Sequence, residues 1–135
     1  MVRVLIVDDD ELVRFTIREI LEEVHHEVQE AKDGTEAMKH LFQGRYDVLL
    51  VDMIMPGQMG LTVIQRFRGL DPKLKIIAIS GSGRTSGIDP LDMFHQAHIA
   101  GANLCLQKPF TQDTLLATFT RCLDQPGPSA SETAS

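Results

Sequence analysis

The residues able to do chemistry are carboxylates, one lysine and one hydroxyl, each standing where an apolar run stops. The run YDVLLV (46–51) ends at Asp52. Met53, Ile54 and Met55 follow, then the breaker pair Pro56-Gly57, which turns the chain out of the sheet. RVLIV (3–7) ends at Asp8, Asp9 and Asp10; KIIAI (75–79) at Ser80; NLCLQ (103–107) at Lys108-Pro109. Taken singly, each has an ordinary use. Asp52 can cap a turn, acids favour the positive end of a helix, and a serine bonds nearby backbone. Their joint occurrence at four strand ends is the signal, because open parallel sheets hold ligands just beyond the carboxyl ends of their strands.

Three carboxylates in one crevice repel one another, so they bind protons or take a cation between them. A hard divalent ion suits an oxygen donor set, and Mg²⁺ accepts one or two carboxylates with a phosphate oxygen. An aspartate can act as nucleophile and become an acyl phosphate, while fixed charges neutralise the phosphoryl oxygens. The expected roles are Asp52 as phosphoacceptor, Asp8 and Asp9 at the metal, Lys108 as counter-charge and Ser80 as donor to a phosphoryl oxygen.

The elements that must position these groups alternate. Short apolar runs at 3–7, 46–51, 75–79 and 103–107 read as buried strands, and 27–31 as a short edge strand. Val13, Ile17, Ile20 and Val24 form a helical stripe, with Leu12 and Leu21 beside it. Asp33-Gly34 turns the chain, Thr35 caps a helix running to Phe42, and Gly44 closes it. Helices are also expected over 60–70, over 91–100 with Gly101 at its end, and after the cap Thr111, with Leu115, Leu116, Phe119, Cys122 and Leu123 on one face. Five strands alternating with five helices predict a doubly wound parallel α/β sheet in a single domain. The loop 81–89 is rich in glycine and hydroxyls and is expected to be mobile. Residues 124–135 lack periodicity and read as a disordered tail behind a domain at 1–123.

The chain has 135 residues and a formal charge of −6. No basic cluster could follow a phosphate backbone, so direct nucleic-acid binding is not expected. No apolar run approaches the ~20 residues that span a bilayer, and residues 1–3 lead straight into a strand, so neither membrane insertion nor a signal peptide is expected. The cytoplasm is the expected location, with Cys105 and Cys122 as thiols.

VLIVDDDELVR, YDVLLVDMIMPG, IIAISG and GANLCLQKPF resemble the receiver domains of two-component response regulators, from Val2 to about Leu123. The resemblance implies a flavodoxin-like strand order 2-1-3-4-5, as in the CheY fold. It implies phosphorylation of Asp52 by a histidine kinase or histidine phosphotransfer protein. It also implies Mg²⁺ on Asp9, Asp52 and the Ile54 backbone carbonyl, with Asp8 acting through a metal-bound water. A cis peptide before Pro109 and output through the face of the fourth helix, fifth strand and fifth helix complete the set.

Three features depart from the usual pattern. Ser80 and Lys108 are 28 positions apart (108 − 80), Met59 stands where Asp is common, and Cys105 replaces an aromatic switch residue. Two other classes compete. Asp8-Asp9-Asp10 also fits the DxD of haloacid-dehalogenase-like phosphatases, although no acidic pair follows Lys108. A receiver-like binding module working without phosphate is the other. With no output domain present, the chain reads as a stand-alone receiver or as a piece of a larger regulator.

Overall fold

The structure is a computed structural model that describes residues 1–55, 58–81 and 90–125. Residues 56–57, 82–89 and 126–135 lie outside these, and with them most of the loop read at 81–89 and of the tail read at 124–135. Asp124, read as the start of that tail, is instead the last residue of the final helix. Five parallel strands form the sheet: β1 (Arg3–Val7), β2 (Glu27–Ala31), β3 (Val48–Asp52), β4 (Lys75–Ser80) and β5 (Leu104–Gln107), in the order β2-β1-β3-β4-β5. Helices α1 (Glu11–Glu23), α2 (Gly34–Gln43), α3 (Gly60–Leu70), α4 (Pro90–Ala100) and α5 (Gln112–Asp124) make the crossovers. A two-strand hairpin pairs Ile54–Met55 with Gln58–Met59.

Alternation along the strands divides the core into two layers. Val4, Ile6, Val48, Leu50, Ile77, Ile79 and Leu106 face α1 and α5, where Ile17, Leu21, Leu115, Phe119 and Cys122 close over them. Leu5, Val7, Leu49, Val51, Ile76 and Ala78 face α2, α3 and α4, meeting Ala37, Val63, Ile64, Phe67, Met93 and Ala97. Two covered faces explain why these strands are continuously apolar.

Several boundaries differ from the sequence reading. Strand β3 begins at Val48 and includes Asp52. Tyr46 lies outside it, under the Arg3 guanidinium at 4.7 Å, while Asp47 accepts the Arg3 N–H at 2.9 Å. Asp33, not Thr35, caps α2: its carboxylate accepts the Glu36 N–H at 2.8 Å, and Glu36 reaches back to the Lys32 N–H at 3.1 Å. A carboxylate one residue before the turn glycine thus reaches the third helical N–H, which leaves Thr35 inside the helix. Gly44 ends α2 in an extended conformation, φ −172°, rather than a left-handed one. Leu12, Val24 and Leu70, read as parts of buried stripes, are exposed. Gly101 does take the left-handed role, φ 127°, and Arg68 packs against its Cα while donating two bonds to its carbonyl.

One glycine fixes how Asp52 is presented. A Cβ at Gly60 would lie 2.3 Å from the Asp52 carbonyl oxygen and 2.5 Å from Met53 Cα, so α3 starts in direct contact with the end of β3. The Gly60 N–H donates to the Met53 carbonyl at 2.9 Å. Gly60→Ala must push that backbone apart. The expected loss is about 2–3 kcal/mol of stability, measured by urea unfolding; an unchanged midpoint would refute the close contact.

Candidate functional site

Register and alternation decide where each strand-end group points. Val7 pairs with Val51, so Asp8 lies level with Asp52, one residue on. Ser80 pairs with Gln107, so Lys108 lies one step beyond. Asp52 follows Leu50, and Asp8 and Lys108 continue the parity of Ile6 and Leu106, placing all three on the α1/α5 side. Ser80 continues the parity of Ala78 and faces α4. The sequence reading placed all these groups on one edge of the sheet. The structure agrees for the edge and separates Ser80 by face.

The geometry follows. Lys108 Nζ donates to Asp8 Oδ2 at 3.0 Å and to Asp52 Oδ2 at 3.4 Å. Asp8 is fully buried and Asp52 nearly so, while Asp9 is exposed. One carboxylate oxygen from each of Asp8, Asp9 and Asp52 lies within 4.8 Å of the other two. Three converging anionic oxygens are the donor set of a hard cation, so these residues fit Mg²⁺ by type and spacing. The Ile54 N–H donates to Asp52 Oδ1 at 3.2 Å, which ties the residue after next to the same carboxylate. Lys108 itself is placed by its N–H to the Ser80 carbonyl at 2.7 Å and is followed by the expected cis bond to Pro109.

Electrostatics match this crowding. Burial and the neighbouring Asp8 push the Asp52 carboxyl up to about 6, against the downward pull of Lys108 and the Ile54 N–H. Burial alone would lower Lys108, but Asp52 and Asp8 hold it above the ordinary lysine value. The Ser80 hydroxyl is turned away from the carboxylates, 3.1 Å from the Gly81 carbonyl and 3.4 Å from Met93 Sδ on α4. Cys105, on β5, lies 3.8 Å from the Phe94 carbonyl, and burial pushes its thiol up to about 11, so it is a neutral packing group. His95 and His98 are exposed on α4. Beside Lys108 opens a cavity of about 510 Å³, lined from α1 by Leu12, Val13 and Thr16 and from the other side by Gly81, Pro109 and Phe110.

Arg14 went unassigned in the sequence, yet its Nη1 donates to the Asp8 carbonyl at 2.6 Å and its Nε to Glu30 at 3.0 Å. The available signal was an arginine next to the half-buried stripe position Val13 on the helix that follows three acids.

Comparison with known proteins identifies the class. Residues 4–120 match the response regulator receiver domain model, and the chain belongs to that family. Among curated proteins, it is 35% identical over 131 residues to the response regulator MprA of Mycobacterium tuberculosis, a match covering 94% of this chain and 53% of that protein. The chain thus spans about half the length of such relatives. Among solved structures, the receiver domain of NtrX from Brucella abortus superposes with a TM-score of 0.82 at 26% identity, covering 91% of this chain and 99% of that one. Chemotaxis protein CheY4 of Vibrio cholerae gives 0.80 at 29% identity, covering 90% and 98%. The protein is a two-component response regulator receiver, a signalling domain with a flavodoxin-like fold, and no helix among its described residues is long and apolar enough to cross a membrane.

The raised Asp52 value has a sign that can be tested. In the metal-free protein the folded state holds this proton more tightly than the unfolded chain does. Its contribution to stability is therefore complete below about pH 4 and is lost as pH rises through about 6. Asp52→Asn removes the charge. In EDTA near pH 7.5 it should be more stable than wild type by on the order of 2–3 kcal/mol, with the gain vanishing near pH 4. Urea titrations at the two pH values check this; a destabilised Asn variant at neutral pH would contradict it.

Proposed function

We propose that Asp52 accepts a phosphoryl group from a histidine kinase or histidine phosphotransfer protein, and that the resulting acyl phosphate is the signal. The carrying observation is the position of Lys108 Nζ between Asp8 and Asp52, beside three converging carboxylate oxygens. An oxygen of Asp52 attacks phosphorus as the P–N bond to the donor imidazole breaks, and the released histidine keeps the electron pair. Lys108 offsets the charge on the transferred phosphoryl group. Ser80 rotates its hydroxyl from Met93 toward a phosphoryl oxygen. Asp9, Asp52 and the Ile54 carbonyl would hold Mg²⁺ directly, with Asp8 through water; the ion supplies charge neutralisation for the phosphoryl oxygens. The chain acts on itself, taking up and losing phosphate, and does not turn over a separate substrate.

The phosphodonor protein docks on the cavity beside Lys108, where Leu12 of α1 is 70% exposed. Output runs through the α4, β5 and α5 face. Residues 1–123 are the working module, and the cytoplasm is its proposed location.

Intact-mass analysis after incubation with a small acyl-phosphate donor tests the reading. Wild type should gain one phosphoryl group only with Mg²⁺, and Asp52→Asn none. Lys108→Ala should slow uptake by about 100-fold, the scale for loss of one positioned charge donor. Labelling unchanged in Asp52→Asn, or equal in EDTA, would refute the assignment; rapid turnover of many phosphate esters would favour a phosphatase.

Cys105 has little area to hide between two rotamers, whereas an aromatic gains about 1 kcal/mol for each ~50 Å² of difference. The signal therefore reaches α4 through Ser80. Cys105→Ala should keep the phosphorylation-dependent gain in partner affinity and Cys105→Tyr should enlarge it. Loss of the gain in the Ala variant would make the thiol part of the switch.

A further inference from the structure

We propose that Arg14 is a positioning residue for the acidic pocket, holding the peptide plane that joins Asp8 to Asp9 so that both carboxylates face a common cation. The inference rests on the Mg²⁺-dependent reading of the site above. A peptide unit is planar, so fixing its carbonyl oxygen fixes the two Cα atoms it joins and the directions of their side chains. Here those two side chains are the carboxylates of Asp8 and Asp9. Their carbonyl is taken by Arg14 Nη1 at 2.6 Å, a short, charge-assisted bond. The preceding peptide is tied through the Asp8 N–H to the Ala31 carbonyl at 3.1 Å. The Asp10 N–H then orients the Asp8 carboxylate itself at 2.8 Å, while the Asp10 carboxylate caps α1 through the Leu12 N–H at 2.9 Å. Asp8 is thus restrained from both sides, with Arg14 the one side-chain partner of its backbone among the described residues.

The guanidinium is aimed from outside the turn. Its Nε donates to Glu30 Oε1 at 3.0 Å, and the other Glu30 oxygen accepts Arg18 Nη1 at 2.9 Å. Arg18 in turn donates to Glu22 at 3.1 Å. The Arg14 side chain is only 14% exposed, so the fork is packed against the protein and held between its two acceptors. A lysine keeps the charge but cannot span two acceptors at once from a planar fork. This gives Glu30 on β2 a part in the geometry of a site that it does not touch.

Charge and position make opposite forecasts. A cation near the pocket opposes a second cation, so if charge governs, removing Arg14 tightens metal binding. If position governs, removal loosens it, because the three carboxylates then repel one another into separate orientations. Groups that orient metal ligands are commonly worth about 10–100-fold in affinity.

The experiment measures Mg²⁺ binding by calorimetry to the unphosphorylated 135-residue chain as wild type, Arg14→Met, Arg14→Lys and Glu30→Gln, with thermal unfolding as a folding control. Arg14→Met should weaken Mg²⁺ binding about 10-fold, and Arg14→Lys nearly as much despite its charge. Glu30→Gln should fall between these and wild type. The rate of Asp52 phosphorylation should require correspondingly more Mg²⁺ yet approach the wild-type maximum at saturation, a split that general destabilisation would not produce. If Arg14→Met does not fold, Arg14→Lys carries the comparison. Affinity within twofold of wild type in the folded Arg14 variants, tighter binding in Arg14→Met, or absence of Mg²⁺ binding in wild type would each overturn the proposal. Failure of wild type to take phosphate while it binds Mg²⁺ would overturn the phosphoacceptor reading alone, leaving the calorimetric comparison to decide Arg14.

Discussion

The structure depends on negative charge gathered at one edge of an apolar sheet. Asp8 and Asp52 stand at adjacent strand ends, buried, with Asp9 alongside. Left to themselves, they would separate or bind protons. Lys108 prevents both in part: it touches Asp8 and Asp52 together, and the two acids jointly hold it charged. The balance stays incomplete, since burial and Asp8 still push the Asp52 carboxyl up to about 6. That residual repulsion is what a cation placed among the three carboxylates would relieve. A site relaxed before its ligand arrives has less to gain from binding.

The rest of the fold serves to hold those ends level. Strand pairing from Val4 opposite Val48 to Val7 opposite Val51 brings Asp8 beside Asp52, and pairing of Ser80 with Gln107 brings Lys108 within reach. A slip of one residue in either pairing would turn a charge to the opposite face. Apolar layers on both sides make such a slip costly, because every side chain on that strand would then meet the wrong helix layer and lose its packing. Gly60 lets α3 lie against the Asp52 backbone, and Arg14 holds the turn after Asp8 from the other side. Ser80 stands across the sheet from the acids, with its hydroxyl in contact with Met93 on α4.

Most of this was legible in the chain because the strands are short, apolar and end in polar residues of distinctive type. The cap at Thr111 and the glycine turn at Gly101 emerged as read from the residues, and the five-strand order and the cis bond before Pro109 as the family resemblance implied. The cap of α2 did not: Asp33 and Thr35 are both competent caps, and only the reciprocal bonds of Glu36 select Asp33. Leu12, Val24 and Leu70 fit the helical period yet lie at helix ends, where a stripe runs past the edge of the sheet and has nothing to cover it. The facing of Ser80 was implicit in alternation but needed the register to be read. Arg14 could not be found by motif, since its partner is a backbone carbonyl that any residue supplies.

The central claim is that unbalanced repulsion, restrained by Lys108, prepares Asp52 for its ligand. The most direct measurement follows the side-chain carboxyl carbon of Asp52 by NMR across pH in the metal-free protein, in Lys108→Met, and with Mg²⁺ added. Because Asp8 and Asp52 interact, the midpoint belongs to the pair. The account predicts a midpoint near 6 in metal-free wild type, a higher one in Lys108→Met and a clearly lower one with Mg²⁺. A midpoint near the ordinary carboxylate value of about 4, indifferent to both Lys108 and Mg²⁺, would contradict it.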